Sequence, residues 1–269
     1  MPARVFATHD IDVAEHEVVK RFRSWERGEH RREWQALVLL ADCAPGLAPA
    51  PIGCDLDSVP PSVRMSRIPG RPLAGQAITP SLLDAVTAAV NRLHAAVPAD
   101  ILAGVRPQPW LAVGAINRMK SHVAAVQRPA DADAIVTAAF DAAAGWLGRA
   151  AEPGPGALSP VFGQGDGNLA NYVWDGQQVR LVDFEDSGRS DRSFELAAFA
   201  EHLSVWHDAK VETGALLSRF ELTAAEAARV LFYRRGFGFF WLLKLLGARE
   251  DRRSALHSQA LRLLDMLNT

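Results

Sequence analysis

Cysteine is nearly absent: Cys43 and Cys54 are the only two in 269 residues. Neither belongs to a Cys-x-x-Cys pair or a Cys/His cluster, which excludes a disulfide scaffold and a thiolate metal site; both read as buried or incidental thiols. Long apolar runs are missing too. The most apolar stretch, residues 231–246, is broken by Arg234, Arg235 and Lys244, and the first residues carry no apolar core of a leader. The expected setting is therefore cytoplasmic, with no membrane partner. Charge of one sign is also scarce. A formal net charge of -2 provides no basic field for nucleic acid, and Arg31-Arg32 and Arg252-Arg253 read as solvated faces. No repeat of solenoid period occurs.

What is present is ordinary globular composition, 49% hydrophobic and 22% charged, enough to bury a large core as one domain or two lobes. Two strand-like runs, residues 4–8 and 17–22, flank the acid-containing connection HDIDVAEH and predict a hairpin. A helix is expected over 29–43, ending before Pro45-Gly46. The Pro- and Gly-rich segment that follows holds one short strand-like run, Ser62-Val63-Arg64-Met65. Beyond Pro69-Gly70 the pattern becomes helical. Thr79 and Pro80 supply an N-cap and a first-turn proline, and Leu82, Val86, Val90 and Leu93 recur on one face. Further helices are expected over 109–126, over 132–150, and from Ser193 to the end. Between them, Asp175-Gly176 separates two short apolar runs and predicts a second hairpin.

That hairpin carries the chemistry. Asp166 and Asn171 precede it and Asp183 follows it, so the three side chains are expected at one end of a strand pair. One carboxylate can orient an attacking hydroxyl. An amide oxygen and a second carboxylate are hard ligands for the magnesium that a nucleotide carries. Taken singly, each acid is more commonly a solvated turn residue.

The stretch GQGDGNLANYVWDG…VRLVDFEDSGRSDRSFELA resembles the catalytic-loop and metal-site motifs of the aminoglycoside phosphotransferase and choline kinase superfamily, which shares the protein-kinase fold. In that family a His-Gly-Asp run opens the loop, an Asn stands at the fifth place after the Asp, and Ile-Asp-Phe or Ile-Asp-Leu closes the hairpin. Asp166, Asn171 and Val182-Asp183-Phe184 take those places, with Gln164 where the family has His. Asp191 and Glu195 match the acids that tie down the loop and the next helix. The resemblance implies Asp166 as the catalytic aspartate and Asn171 and Asp183 as ligands of Mg2+. It also implies an α+β, protein-kinase-like fold: a strand-rich nucleotide-binding lobe with hinge over residues 1–69, shortened at its start, and a helical lobe over 70–269 with catalytic loop and acceptor site.

The N-terminal residues agree in part. Lys20 and Glu33 match the family's strand lysine and helix glutamate, with Glu29 as the rival acid. VRMSRIPGRPL resembles the hinge that hydrogen-bonds the base, with Met65 bordering the pocket and Ser66, Arg67 and Ile68 as connector. No glycine precedes Gly28, so the phosphate-covering loop reads as shortened or lost. The expected activity is transfer of the terminal phosphate of ATP or GTP to a hydroxyl of an antibiotic or metabolite. A non-catalytic nucleotide- or ligand-binding relative is the alternative, motivated by Gln164 and the missing loop. Glu185, Asp186, Glu201 and Asp208 are candidates for contact with a cationic acceptor, and the aromatic run from Phe232 to Trp241 for core or acceptor pocket. The acceptor and the oligomeric state are open.

Overall fold

The computed structural model describes residues 9–126, 133–154, 158–247 and 253–269. Residues Met1–Gln108 with Pro160–Arg189 form one compact unit, and Pro109–Ser159 with Ser190–Thr269 a second.

The first unit is built on a four-stranded antiparallel sheet in the order β1-β2-β4-β3, from β1 (His9–Val13), β2 (Glu17–Phe22), β3 (Pro51–Asp55) and β4 (Ser62–Ser66). β2 and β4 lie where the sequence places strands. β1 occupies residues expected to be a connection, while the expected strand from Arg4 to Thr8 lies outside the described residues. The acids that suggested a turn instead form cross-strand ion pairs, Asp12 with Arg21 and Asp10 with Arg23. β3 was hidden by its leading proline, which an edge strand tolerates because that position donates no ladder bond.

Helix α1 (Glu29–Cys43) buries Glu33, Ala36, Leu37 and Leu40, a spacing that follows one helical face. After the two-residue β5 (Arg71–Pro72), helix α2 (Pro80–His94) begins as expected: the Thr79 side chain accepts the Leu82 N–H at 3.2 Å, with Pro80 in the first turn. The short helix α3 (Ala99–Gly104) precedes the second unit.

The chain returns to the first unit with β6 (Pro160–Gly163), a single 3-10 turn (Leu169–Asn171), and the hairpin β7 (Tyr172–Trp174) and β8 (Val179–Leu181). β5 joins its edge, giving the order β5-β7-β8. Gly70 permits the junction: at φ +130°, a Cβ there would lie 2.4 Å from the Trp174 carbonyl oxygen. β9 (Gly188–Asp191) then leads into the second unit.

That second unit is helical: α4 (Pro109–Ala112), α5 (Ala115–Ala124), α6 (Ala134–Arg149), α7 (Arg192–Glu201), a π turn (Ser204–Asp208), α8 (Thr213–Leu217), α9 (Ala224–Leu246) and α10 (Arg253–Asn268). The single helix expected over 109–126 is divided at Gly114, whose φ of 84° ends one turn before the next begins. Phe140, Phe239, Leu242 and Leu263 form the centre of its apolar core. No helix among the described residues is long and apolar enough to cross a membrane. Cys43 is half-buried and Cys54 exposed, and both are free thiols.

Helix α9 starts at a reciprocal cap. The Thr223 hydroxyl accepts the Glu226 N–H at 3.2 Å while the Glu226 carboxylate accepts the Thr223 N–H at 3.1 Å. Thr223→Ala is expected to cost about 1 kcal/mol, read as a lowered denaturation midpoint, and Thr223→Ser to restore it. An unchanged midpoint in the alanine variant would show that the cap does not limit α9.

Candidate functional site

Lys20 sits on β2 opposite Ile11 and Val63, with its side chain buried. Three carboxylates meet its ammonium: Glu33 Oε2 at 3.2 Å, Glu185 Oε2 at 2.8 Å and Asp183 Oδ1 at 2.5 Å. Glu33 and Glu29 lie one turn apart on α1, but Glu29 is used by Arg27 at 2.8 Å. The structure therefore brings Glu33, and not its rival, to Lys20. The same Glu33 oxygen also accepts the Phe184 N–H at 2.8 Å, which ties the residue after Asp183 to α1.

The loop ahead of the hairpin is held by polar contacts at each step. Gly165 adopts φ +81°, and a Cβ there would approach the Asp186 carbonyl oxygen to 2.3 Å, so this turn requires glycine. Asp166 accepts the Asn168 N–H at 3.1 Å and the Asn171 amide N–H at 2.9 Å. The Asn171 carbonyl accepts the Val182 N–H at 3.0 Å. Gln164, which is buried, donates from Nε2 to the Val182 carbonyl at 2.6 Å. Asp183 itself has φ +66°, a left-handed conformation uncommon for a residue with a side chain and held here by the bonds on either side.

Electrostatics follow from this crowding. Burial opposes the charge on Lys20, but Glu33, Asp183 and Glu185 together outweigh it and hold its pKa above the ordinary lysine value. Burial, reinforced by the neighbouring acids, pushes Glu33 up to about 7 against the pull of Lys20. Glu185 moves the other way: despite burial, its bond to His9 and the charge of Lys20 bring it down to about 2. Burial and the charge of Asp183 raise Asp166 to about 7, although Asn168 and Asn171 stabilise its ionised form.

A cavity of about 590 Å³ opens on these groups, within the range of roughly 300–1,000 Å³ that small-molecule sites occupy. Lys20, Glu33, Asn171 and Asp183 line it, as do Met65, Ser66, Arg67 and Ile68. Of the nine residues that the resemblance gives a catalytic, nucleotide or metal role, Asp166 alone is not in its lining; it stands behind, bonded to Asn171. Asn171 and Asp183 present oxygen donors suited to magnesium. With its Nδ2 engaged by Asp166, Asn171 has its oxygen as the end of the amide left for a cation.

The candidate acceptor acids fall elsewhere. Glu185 is bound to Lys20 and to His9 Nε2 at 2.5 Å, and Asp186 faces Arg27 at 3.4 Å. Glu201 is fully buried between Arg234 at 2.7 Å and Arg262 at 3.0 Å, so its charge is spent inside the second unit. Asp208 remains exposed beside His207. Asp191 and Glu195 fix local backbone and side chains, accepting the Ser159 N–H at 3.0 Å and the Ser190 hydroxyl at 2.5 Å. Tyr233, Phe237 and Phe239 are buried core residues. His9 was not anticipated: its segment read as a loop, and nothing in HDIDV marks one histidine as inward-facing.

A family model described as the phosphotransferase enzyme family matches residues 4–257. Among solved structures, the GDP complex of a mutant aminoglycoside 2'-phosphotransferase is similar at TM-score 0.65 and 16% identity, over 98% of this chain and 89% of that one. A choline/ethanolamine kinase family protein from Mesorhizobium loti is similar at TM-score 0.61 and 18% identity, over 97% and 86%. A spectinomycin phosphotransferase in complex with ADP and spectinomycin is similar at TM-score 0.59 and 11% identity, over 100% and 90%. No curated protein sequence matches the chain. The α+β architecture is thus that of the kinase-like fold.

Gln164→Ala would leave the Val182 carbonyl without its side-chain donor. The expected cost is about 1 kcal/mol, that of one lost hydrogen bond, measurable by denaturant titration. A variant as stable as the parent would show that water or a shifted neighbour replaces the amide.

Proposed function

The chain belongs to the phosphotransferase enzyme family, and from that premise we propose that this small-molecule kinase transfers the terminal phosphate of ATP or GTP to a hydroxyl of an antibiotic or metabolite. The observation that carries the reading is that one cavity is lined by Lys20, Glu33, Asn171, Asp183 and the strand end Met65 to Ile68. It supplies in one place what phosphate transfer needs: a fixed cation, oxygen ligands for a metal, and an edge of backbone for a base.

On this reading residues 1–69 serve the nucleotide and 70–269 carry the catalytic loop and the acceptor. Met65, Ser66, Arg67 and Ile68 border the base. Lys20, anchored by Glu33, contacts the phosphates. Asn171 and Asp183 would hold Mg2+, which neutralises phosphate charge when bound. Asp166 orients the acceptor hydroxyl. Its pKa of about 7 suits that task, since a carboxylate of raised pKa accepts a hydroxyl proton more readily than one near 4. Its bonds to Asn168 and Asn171 fix the carboxylate before the acceptor arrives, so little reorganisation is needed at the moment of transfer.

Charge explains why the metal matters. Three carboxylates surround one ammonium, so an unaccompanied polyphosphate would meet net repulsion. Removing divalent cations with a chelator is therefore expected to weaken nucleotide binding strongly, as titration calorimetry would record. Equal affinity with and without metal would remove Asn171 and Asp183 from the ligand role.

Asp166→Ala is expected to lower turnover by about 10²–10⁴-fold while leaving nucleotide affinity little changed. Turnover, nucleotide binding and thermal stability measured on that variant separate a hydroxyl-orienting role from a loop brace. The reading as a whole is tested by offering ATP and GTP against panels of hydroxylated antibiotics and metabolites and following phosphate transfer. Nucleotide binding without transfer to any acceptor would identify a binding protein on the kinase-like fold instead.

A further inference from the structure

The Lys20 ammonium has three N–H donors, and all three are occupied: by Glu33, Asp183 and Glu185. A phosphate oxygen that contacts it must displace one of them. Glu33 is held from a second side by the Phe184 N–H and is fully buried. The Asp183 side chain is 36% exposed, and its carboxylate pairs with Lys20. Glu185 lies between these cases. Its backbone carbonyl accepts Arg32 Nε at 2.7 Å, and its side-chain oxygen is shared by Lys20 and His9.

His9 is unusual for a residue so near a solvent-open cavity. It is 4% exposed, faces its strand partner Phe22 at a ring distance of 4.7 Å, and lines the same cavity as Lys20. Among the described residues its buried Nδ1 has no hydrogen-bond partner, and the ring makes one polar contact there, that from Nε2 to Glu185. Burying an imidazole with half its polar capacity unused is costly. Packing alone is met more cheaply by an apolar side chain. The arrangement makes sense if the one bond it keeps has a task.

We propose that His9 is a positioning residue for Lys20: it pins the Glu185 carboxylate so that the ammonium stays anchored by Glu33 and Glu185 when a nucleotide phosphate takes the place of Asp183. This inference rests on the reading of the cavity as a nucleotide site. Without the pin, Lys20 alone holds the Glu185 side chain, which can then turn toward solvent, and the lysine loses one of its two permanent anchors. β1 thereby contributes to the phosphate site through a side chain, in a chain whose residues before Gly28 include no glycine.

The test compares His9→Ala, His9→Gln and Glu185→Gln with the unsubstituted protein. His9→Ala is expected to raise the nucleotide dissociation constant about tenfold, the effect of losing one charge-assisted hydrogen bond, with the acceptor KM unchanged. His9→Gln retains a nitrogen donor and is expected to recover most of that loss. In a Glu185→Gln background, His9→Ala should add little, because His9 acts through Glu185. A second readout does not depend on nucleotide: modification of Lys20 by an amine-selective reagent, followed by mass spectrometry, should be about tenfold faster in His9→Ala and near the parent rate in His9→Gln. Thermal denaturation of all variants guards against simple unfolding. Parent-like nucleotide affinity and parent-like Lys20 reactivity in a folded His9→Ala would overturn the role of His9, as would full additivity with Glu185→Gln. Faster Lys20 modification in His9→Ala, with no nucleotide bound even by the parent, would uphold the tether from His9 to Lys20 and reject the nucleotide reading above it.

Discussion

One buried carboxylate oxygen joins three distant parts of the first unit. Glu33 Oε2 accepts both the Lys20 ammonium and the Phe184 N–H, and nothing of its residue is exposed. A carboxylate taken from water without partners is far too costly to persist, so its partners are obligatory. The oxygen and its two partners belong to a helix, a strand and the residues after a distant hairpin, and each is thereby held relative to the other two. Lys20 and Asp183, which line the cavity beside Glu33, are brought together there by that oxygen.

The same crowding keeps the site short of electrostatic rest. Lys20 cannot neutralise Glu33, Asp183 and Glu185 at once, and Asp166 adds to the acidity nearby. The excess is distributed unevenly. Glu185, with two partners, is held ionised, whereas Glu33 and Asp166 are pushed toward protonation. A structural ion cluster selected for stability would balance its charges more closely. An excess of acid around Lys20, opening on a cavity of small-molecule size, suits a ligand that arrives with cations of its own.

Legibility in the sequence follows how local each signal is. Asp166, Asn171 and Asp183 were readable because a loop and a tight hairpin bring them together over a short stretch of chain, and the Lys20 strand and the α1 helix carry clean local patterns. The choice of Glu33 over Glu29 was not, because both lie on one helical face and the decision belongs to Arg27, which claims Glu29. Glu185 looked like a solvated or acceptor-facing acid; its real partners lie more than 160 residues away, and no spacing rule reaches that far. β1 was misread for a related reason. Alternating acids signal a turn when viewed alone and a strand when Arg21 and Arg23 stand across from them.

Gln164 shows what that position demands. The resembling family places histidine there, and the substitution raised the question of whether the loop survives without an imidazole. In this chain the requirement is met by a donor: Gln164 Nε2 reaches the Val182 carbonyl, and Val182 returns its own N–H to the Asn171 carbonyl. Val182, the residue ahead of Asp183, is thus held at both its backbone N–H and its carbonyl, which is how a left-handed aspartate at φ +66° is kept in place. An amide donates as well as a neutral imidazole does and carries no titratable charge, so the grip is independent of pH. The departure from the family pattern therefore alters the chemistry of the brace without loosening it, and the Asp183 carboxylate stays where Lys20 can reach it.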